Sequence, residues 1–122
     1  MLRTGACVLV VDDEELIRWA LCQRLEERGY RVLQAASARG ARRQAEKADL
    51  VVIERQLPDG DGRDLAAELR RERPQRPLVL MTADSDPELE RSARRRGLDA
   101  VAEKPFGLDD MVQLIRRCLG AH

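Results

Sequence analysis

Short unbroken apolar runs alternate with segments of helical periodicity from one end of the chain to the other, and few folds accept that order. Ala6-Cys7-Val8-Leu9-Val10-Val11 is apolar without interruption, as expected for a strand covered on both faces. Residues 15–28 then place Leu16, Ile17, Ala20, Leu21 and Leu25 on the stripe of an amphipathic helix. Gly29 follows where a helix end often needs positive φ. The cycle recurs with strands at 30–35, 50–54, 78–82 and 100–103 and helices at 38–48, 65–72, 87–96 and 108–119. Five strand–helix units predict an α/β fold: a five-stranded parallel sheet with helices on both faces and right-handed crossovers. Residues 1–122 read as one domain, long enough to bury a single core without staples. An output domain beyond 122 in a longer chain is compatible with this reading.

Charge and cysteine content narrow the partners. Lys plus Arg number 22 and Asp plus Glu 22, so no net charge draws this domain to nucleic acid or to a membrane surface. No apolar run approaches the roughly 20 residues of a spanning helix. The opening MLRTGACVLVVDD turns acidic too soon for a secretory signal. Cys7, Cys22 and Cys118 lack metal-like spacing and sit among apolar neighbours, which points to reduced thiols in a cytoplasmic protein.

In open parallel sheets ligands lie outside the carboxyl ends of the strands. There the first strand ends in Asp12-Asp13-Glu14-Glu15, the third in Glu54, the fourth in Thr82-Ala83 and the fifth in Glu103-Lys104-Pro105. Carboxylates without His or Cys suit a hard divalent cation such as magnesium. A lysine and a hydroxyl opposite the metal suit a tetrahedral oxyanion. The acidic quartet alone has a plainer explanation, a helix N-terminus favoured by the macrodipole. Asp59-Gly60-Asp61-Gly62 faintly resembles a calcium loop, but Arg63 stands at a ligand position. Arg94-Arg95-Arg96 reads as a solvated helix end.

The pieces VLVVDDEE, DLVVIERQLPDGDG, LVLMTAD and AEKPF, in this order, resemble the receiver domains of two-component response regulators over the whole chain. VVDDEELIRWAL and EKPF are most similar to the nitrogen-regulator branch of enhancer-binding activators. The resemblance implies a flavodoxin-like (βα)5 fold with strand order 2-1-3-4-5. It implies magnesium held by Asp12, Asp13 and the main-chain carbonyl of Gln56, a switch hydroxyl at Thr82 and a phosphoryl-pairing cation at Lys104. It also implies a cis peptide bond before Pro105 and a tight turn at Gly62. The partners it implies are proteins: a histidine kinase, an output domain or another signalling protein, or a second copy in a homodimer. Direct nucleic-acid or membrane binding by this domain is not among them.

Two positions depart from the family. Glu54 stands where the phosphorylated aspartate belongs, and Val101 where a switch aromatic belongs. Attack on phosphorus tolerates little misplacement, and glutamate carries its carboxylate one methylene further out. The resulting expectation is a phosphorylation-independent receiver, not an enzyme, that acts through protein–protein contacts. The alternatives are a receiver still phosphorylated by a histidine kinase, on Glu54 or a neighbour, and controlling transcription, or a magnesium-dependent phosphohydrolase. A glutamate imitating phosphate should contact Lys104 and draw Thr82 inward. One that merely fills space should leave Lys104 to Asp12 or Asp13, the arrangement that competition among the carboxylates favours.

Overall fold

The computed structural model describes residues 5–84 and 87–120, the side chains of Ala93 and Arg94 excepted. The strands are β1 (Cys7–Val11), β2 (Arg31–Ala35), β3 (Leu50–Glu54), β4 (Leu78–Thr82) and β5 (Ala100–Glu103). The helices are α1 (Glu15–Glu27), α2 (Ala38–Gln44), α3 (Gly62–Glu72), α4 (Pro87–Arg95) and α5 (Leu108–Gly120). All pairings in the main sheet are parallel, in the order β2-β1-β3-β4-β5. This is the flavodoxin-like order that the resemblance implies.

Successive strand residues point to opposite faces, so each strand feeds two cores. Leu9, Val11, Val51, Ile53, Leu78 and Leu80 pack with Ala41 of α2 and Leu65 and Leu69 of α3. Val8, Val10, Val52, Val79 and Met81 pack with Leu21 and Leu25 of α1 and Met111 and Ile115 of α5. That double burial is why β1, β3 and β4 are apolar without alternation.

Three local readings are corrected. The inward face of α1 carries Leu21, Cys22 and Leu25, whereas Leu16 is 77% exposed and Trp19 56%. The apolar stripe read from the sequence is thus turned about the helix axis. The second helix does not run to 48; it tightens into a 3-10 turn at Ala45–Lys47. The third begins earlier than 65, at Gly62, because Asp61 caps it by accepting from the Arg63 backbone N–H at 2.8 Å. A two-strand antiparallel ribbon, Gln56–Leu57 with Gly60–Asp61, precedes it.

Gly62 is required for closeness, not for its φ. A Cβ there would lie 2.1 Å from the Glu54 backbone oxygen and 2.9 Å from Ile53 Cγ2. Gly62→Ala should therefore destabilise the fold by about 3 kcal/mol, the upper end of the usual overpacking range, since backbone cannot step aside. Urea denaturation would measure it, and a change below about 0.5 kcal/mol would contradict the close approach.

Candidate functional site

The register brings the predicted residues to one edge. Glu54 pairs with Met81 and Thr82 with Glu103 across neighbouring strands. Beyond the strand ends the backbone continues the ladder. Asp12 N–H donates to the Ala35 carbonyl at 3.0 Å, Arg55 N–H to Met81 at 2.9 Å, and Lys104 N–H to Thr82 at 2.7 Å. The Lys104–Pro105 peptide bond is cis.

Lys104 is the hub. Its ammonium donates to Asp12 Oδ2 at 2.8 Å and Glu14 Oε1 at 2.7 Å, and lies 2.7 Å from Glu54 Oε2. The contact with Glu54 is close but poorly aligned, and Glu54 Oε2 is buried without a hydrogen bond. The ammonium's directional bonds thus go to Asp12 and Glu14, while Glu54 receives its charge. Expecting Lys104 to leave Glu54 aside was wrong in this respect: the longer side chain reaches the ammonium without displacing Asp12. Glu54 Oε1 also faces the Gln56 N–H at 3.4 Å.

Thr82 is buried, and its hydroxyl accepts from the Asp84 backbone N–H at 3.1 Å. Among the described residues no hydrogen bond joins that hydroxyl to Glu54 or Lys104. Asp84 is itself tied to Arg55 by an ion pair at 2.5 Å, which links the loop after β3 to the loop after β4.

Charge and burial set the proton affinities. Burial pushes the Glu54 carboxyl above its ordinary value of 4.5, with Lys104 pulling the other way and Asp12 adding to the rise. Burial alone would lower the Lys104 ammonium, but its hydrogen bonds to Asp12 and Glu14 and the adjacent Glu54 carboxylate outweigh that and raise it above 10.5. One ammonium thus faces three carboxylates and cannot neutralise them all.

Asp12, Glu14 and Glu54 are the carboxylates that could share an ion, their ligand atoms all within 4.8 Å of one another. This hard oxygen set fits magnesium in chemistry, and any ion must compete with Lys104 for the same oxygens. Asp13 is exposed and is not one of those three carboxylates, and Gln56, whose main-chain carbonyl is the expected ligand, is exposed as well. The sequence reading did not single out Glu14 as a site residue, although its place in the acidic quartet was the signal. When bound, the ion would screen negative charge at this edge. Titration should show magnesium affinity in about the millimolar range, near −4 kcal/mol. Asp12→Asn should abolish it, and unchanged binding in that variant would place the metal elsewhere.

The other motifs have structural uses. Asp59 accepts from the Arg39 and Ala38 N–H groups at 3.0 and 2.8 Å, and these bonds hold its carboxyl below the usual range. Asp61 caps α3 and pairs with Arg63 at 2.7 Å. Both calcium-like carboxylates are thereby committed to helix starts. Arg95 and Arg96 pair with Glu88 and Asp64 at 3.1 and 3.2 Å, in keeping with a solvated helix end. The cysteines are free: Cys7 and Cys22 are buried and Cys118 partly so. Among the described residues no helix is long and apolar enough to cross a membrane.

A doubly wound parallel sheet with an acidic trio, a half-buried lysine and a buried threonine at its carboxyl edge defines a receiver-type signalling domain. The response regulator receiver domain profile matches residues 8–116, and the chain belongs to that family. It is 38% identical over 111 residues to the transcriptional regulatory protein PdtaR of Mycobacterium tuberculosis, covering 88% of this chain and 54% of that one. It is 34% identical over 118 residues to the DNA-binding transcriptional regulator NtrC of Rhizobium meliloti, covering 95% and 24%. The chain thus spans about half the length of the first of these relatives and a quarter of the second. A CheY-like receiver domain from Methanospirillum hungatei superposes with a TM-score of 0.90 at 28% identity, covering 97% of this chain and 96% of that one.

Proposed function

We propose that this receiver works without phosphoryl transfer at Glu54 and delivers its signal through protein–protein contacts, with no catalytic turnover of its own. The observation that carries this reading is the buried 2.7 Å approach of Glu54 Oε2 to Lys104 Nζ. The carboxylate at the acceptor position already occupies the cation that would otherwise be offered to a phosphoryl oxygen. It supplies part of what phosphate would bring: one charge, against close to two charges and three acceptor oxygens. The Thr82 hydroxyl, held by Asp84, does not join it. The site therefore combines one half of a phosphate-like arrangement with a switch hydroxyl held by the Asp84 backbone instead, which supports a constitutive rather than a phosphorylation-driven output.

Contact-driven output also agrees with the surface beside the site. Leu16 and Trp19 stand exposed on α1, one turn after the acidic edge. Large apolar groups left exposed side by side on one helix form the kind of patch that partner proteins cover. The full domains of PdtaR and NtrC are described as regulators of transcription, and control of transcription through a further domain or protein is the output this reading favours. To test the central point, the wild-type protein is incubated with magnesium and a small acyl-phosphate donor and its intact mass is followed. No phosphoryl adduct is expected, and an adduct mapped to Glu54 would sink the reading.

A further inference from the structure

At the edge of the sheet opposite the acidic site, a hollow of about 240 Å³ opens between the end of α3 and the amino ends of β3 and β4. Its wall carries four charged residues, Arg73 and Arg76 against Asp49 and Glu72. Arg76 is 2% exposed, yet its guanidinium is bonded only to neutral groups. Nη1 donates to the Ala45 carbonyl at 2.6 Å and Nη2 to the Leu69 carbonyl at 3.3 Å, while Nε is buried without a hydrogen bond. Among the described residues Arg76 forms no ion pair. A buried charge is costly unless a counter-charge meets it. We propose that this hollow binds a free α-amino acid, its carboxylate against Arg76 and its ammonium against Glu72 and Asp49.

Unused hydrogen-bond capacity selects the carboxylate. A guanidinium takes a carboxylate through two parallel N–H groups, and the Nε–Nη2 edge of Arg76 is the one with capacity left. Nη1 is committed by its short bond to Ala45. The two carbonyls clamp the guanidinium between the 3-10 turn and the end of α3 without neutralising it. Burial and the neighbouring Arg73 and Arg70 disfavour its charge, with Glu72 working the other way. A simple anion would relieve Arg76 but would meet Asp49 and Glu72 on the same wall. A ligand with both signs on adjacent atoms satisfies cation and carboxylates together. Asp49 Oδ2 already accepts from the Cys7 N–H at 2.7 Å, which leaves exposed Glu72 the main partner of the ammonium. Size agrees as well. A cavity of about 150 Å³ holds a benzene ring, so this larger hollow has room for an amino acid whose aliphatic side chain lies against Pro74 and Pro77. Nε is closed to water, so the exposed residues 73–75 must give way as the carboxylate enters.

The hollow lies at the other end of β3 from Glu54, so the outcome does not depend on whether phosphoryl transfer occurs. The probe is L-valine, titrated into the isotopically labelled 122-residue chain. Its controls are isovalerate, the same skeleton without the ammonium, and isobutylamine, the same skeleton without the carboxylate. Amide shifts that saturate at Asp49, Gln75, Arg76 and Leu78 are expected, with dissociation in about the millimolar range. Each control should bind about tenfold more weakly or worse, the worth of one hydrogen bond to a charged group. Glu72→Gln, an exposed change, should weaken valine by a similar factor and leave isovalerate binding no weaker. Arg76→Met should lose valine and isovalerate alike, and Glu72→Gln decides the matter if that variant does not fold. Valine shifts that fail to saturate at these residues overturn the proposal, as does either control binding as tightly as valine. Undiminished valine binding by Glu72→Gln or by folded Arg76→Met overturns it too.

Discussion

Glu54→Asp is expected to take up a phosphoryl group from a small acyl-phosphate donor at a rate at least about a hundredfold above the wild type. Shortening the side chain by one methylene draws the carboxylate back toward β3 and away from Lys104, which the wild-type residue approaches at 2.7 Å. That frees the ammonium to meet an incoming phosphoryl oxygen and leaves room for in-line attack. In the transfer an aspartate oxygen forms a bond to phosphorus as the donor's carboxylate departs. Lys104 and Thr82 remain at the edge to meet the phosphoryl oxygens, and Asp12 and Glu14 remain to hold a cation beside them. Intact mass with and without magnesium measures the outcome. A folded Glu54→Asp protein that stays unlabelled would show that the obstacle lies elsewhere, in the hold of Glu14 on Lys104 or of Asp84 on Thr82.

Lys104→Met should be the most damaging single substitution at the site, with a loss of about 3–5 kcal/mol at neutral pH. It removes the cation that pairs with the Asp12 and Glu54 side chains, which are 0% and 9% exposed, and leaves those carboxylates without their ion pair. The pH dependence separates this from simple loss of packing. The folded-state value of Lys104 is raised above 10.5, so its stabilisation is complete below that pH and is lost as pH rises through the folded value. The wild type should weaken on that alkaline limb, and the variant should lack it. Glu54 behaves oppositely to a salt-bridged surface carboxylate. Its value is raised, so the folded state holds the proton more tightly and stability falls as pH rises above 4.5 through the folded value. The deficit of Lys104→Met should therefore shrink as the solution is acidified into the carboxylate range. Urea titrations across pH provide the measurement, and a deficit that does not change with pH would refute the electrostatic account.

Much of this molecule is legible in one dimension. Strands buried on both faces must be apolar throughout, so β1, β3 and β4 announce themselves and fix where the carboxyl edge falls. Asp12, Glu54, Thr82 and Lys104 follow from that edge alone, because each ends or follows a strand. The α1 stripe was legible only in part. Its periodicity was correct, but Leu16 satisfies the same repeat as Leu21 and Leu25 and yet faces outward. Periodicity gives the existence of an apolar face; its rotation depends on which residues meet α5 and β2. Arg24, bonded to Asp109 at the start of α5 at 2.5 Å, and Arg18, bonded to Gln34 on β2 at 3.1 Å, help to fix that rotation.

The order of elements, the parallel sheet and the acidic edge thus follow from local burial and chain connectivity alone. The tertiary structure decided how Lys104 divides itself among Asp12, Glu14 and Glu54. It also decided that Asp59 and Asp61 cap helices, and that Val101 leaves a hollow beside Thr82. These outcomes turn on a few ångströms of side-chain reach between residues as many as 92 positions apart. No periodicity encodes that distance: a flexible lysine has several carboxylates within range, and only the packed backbone determines which of them it meets.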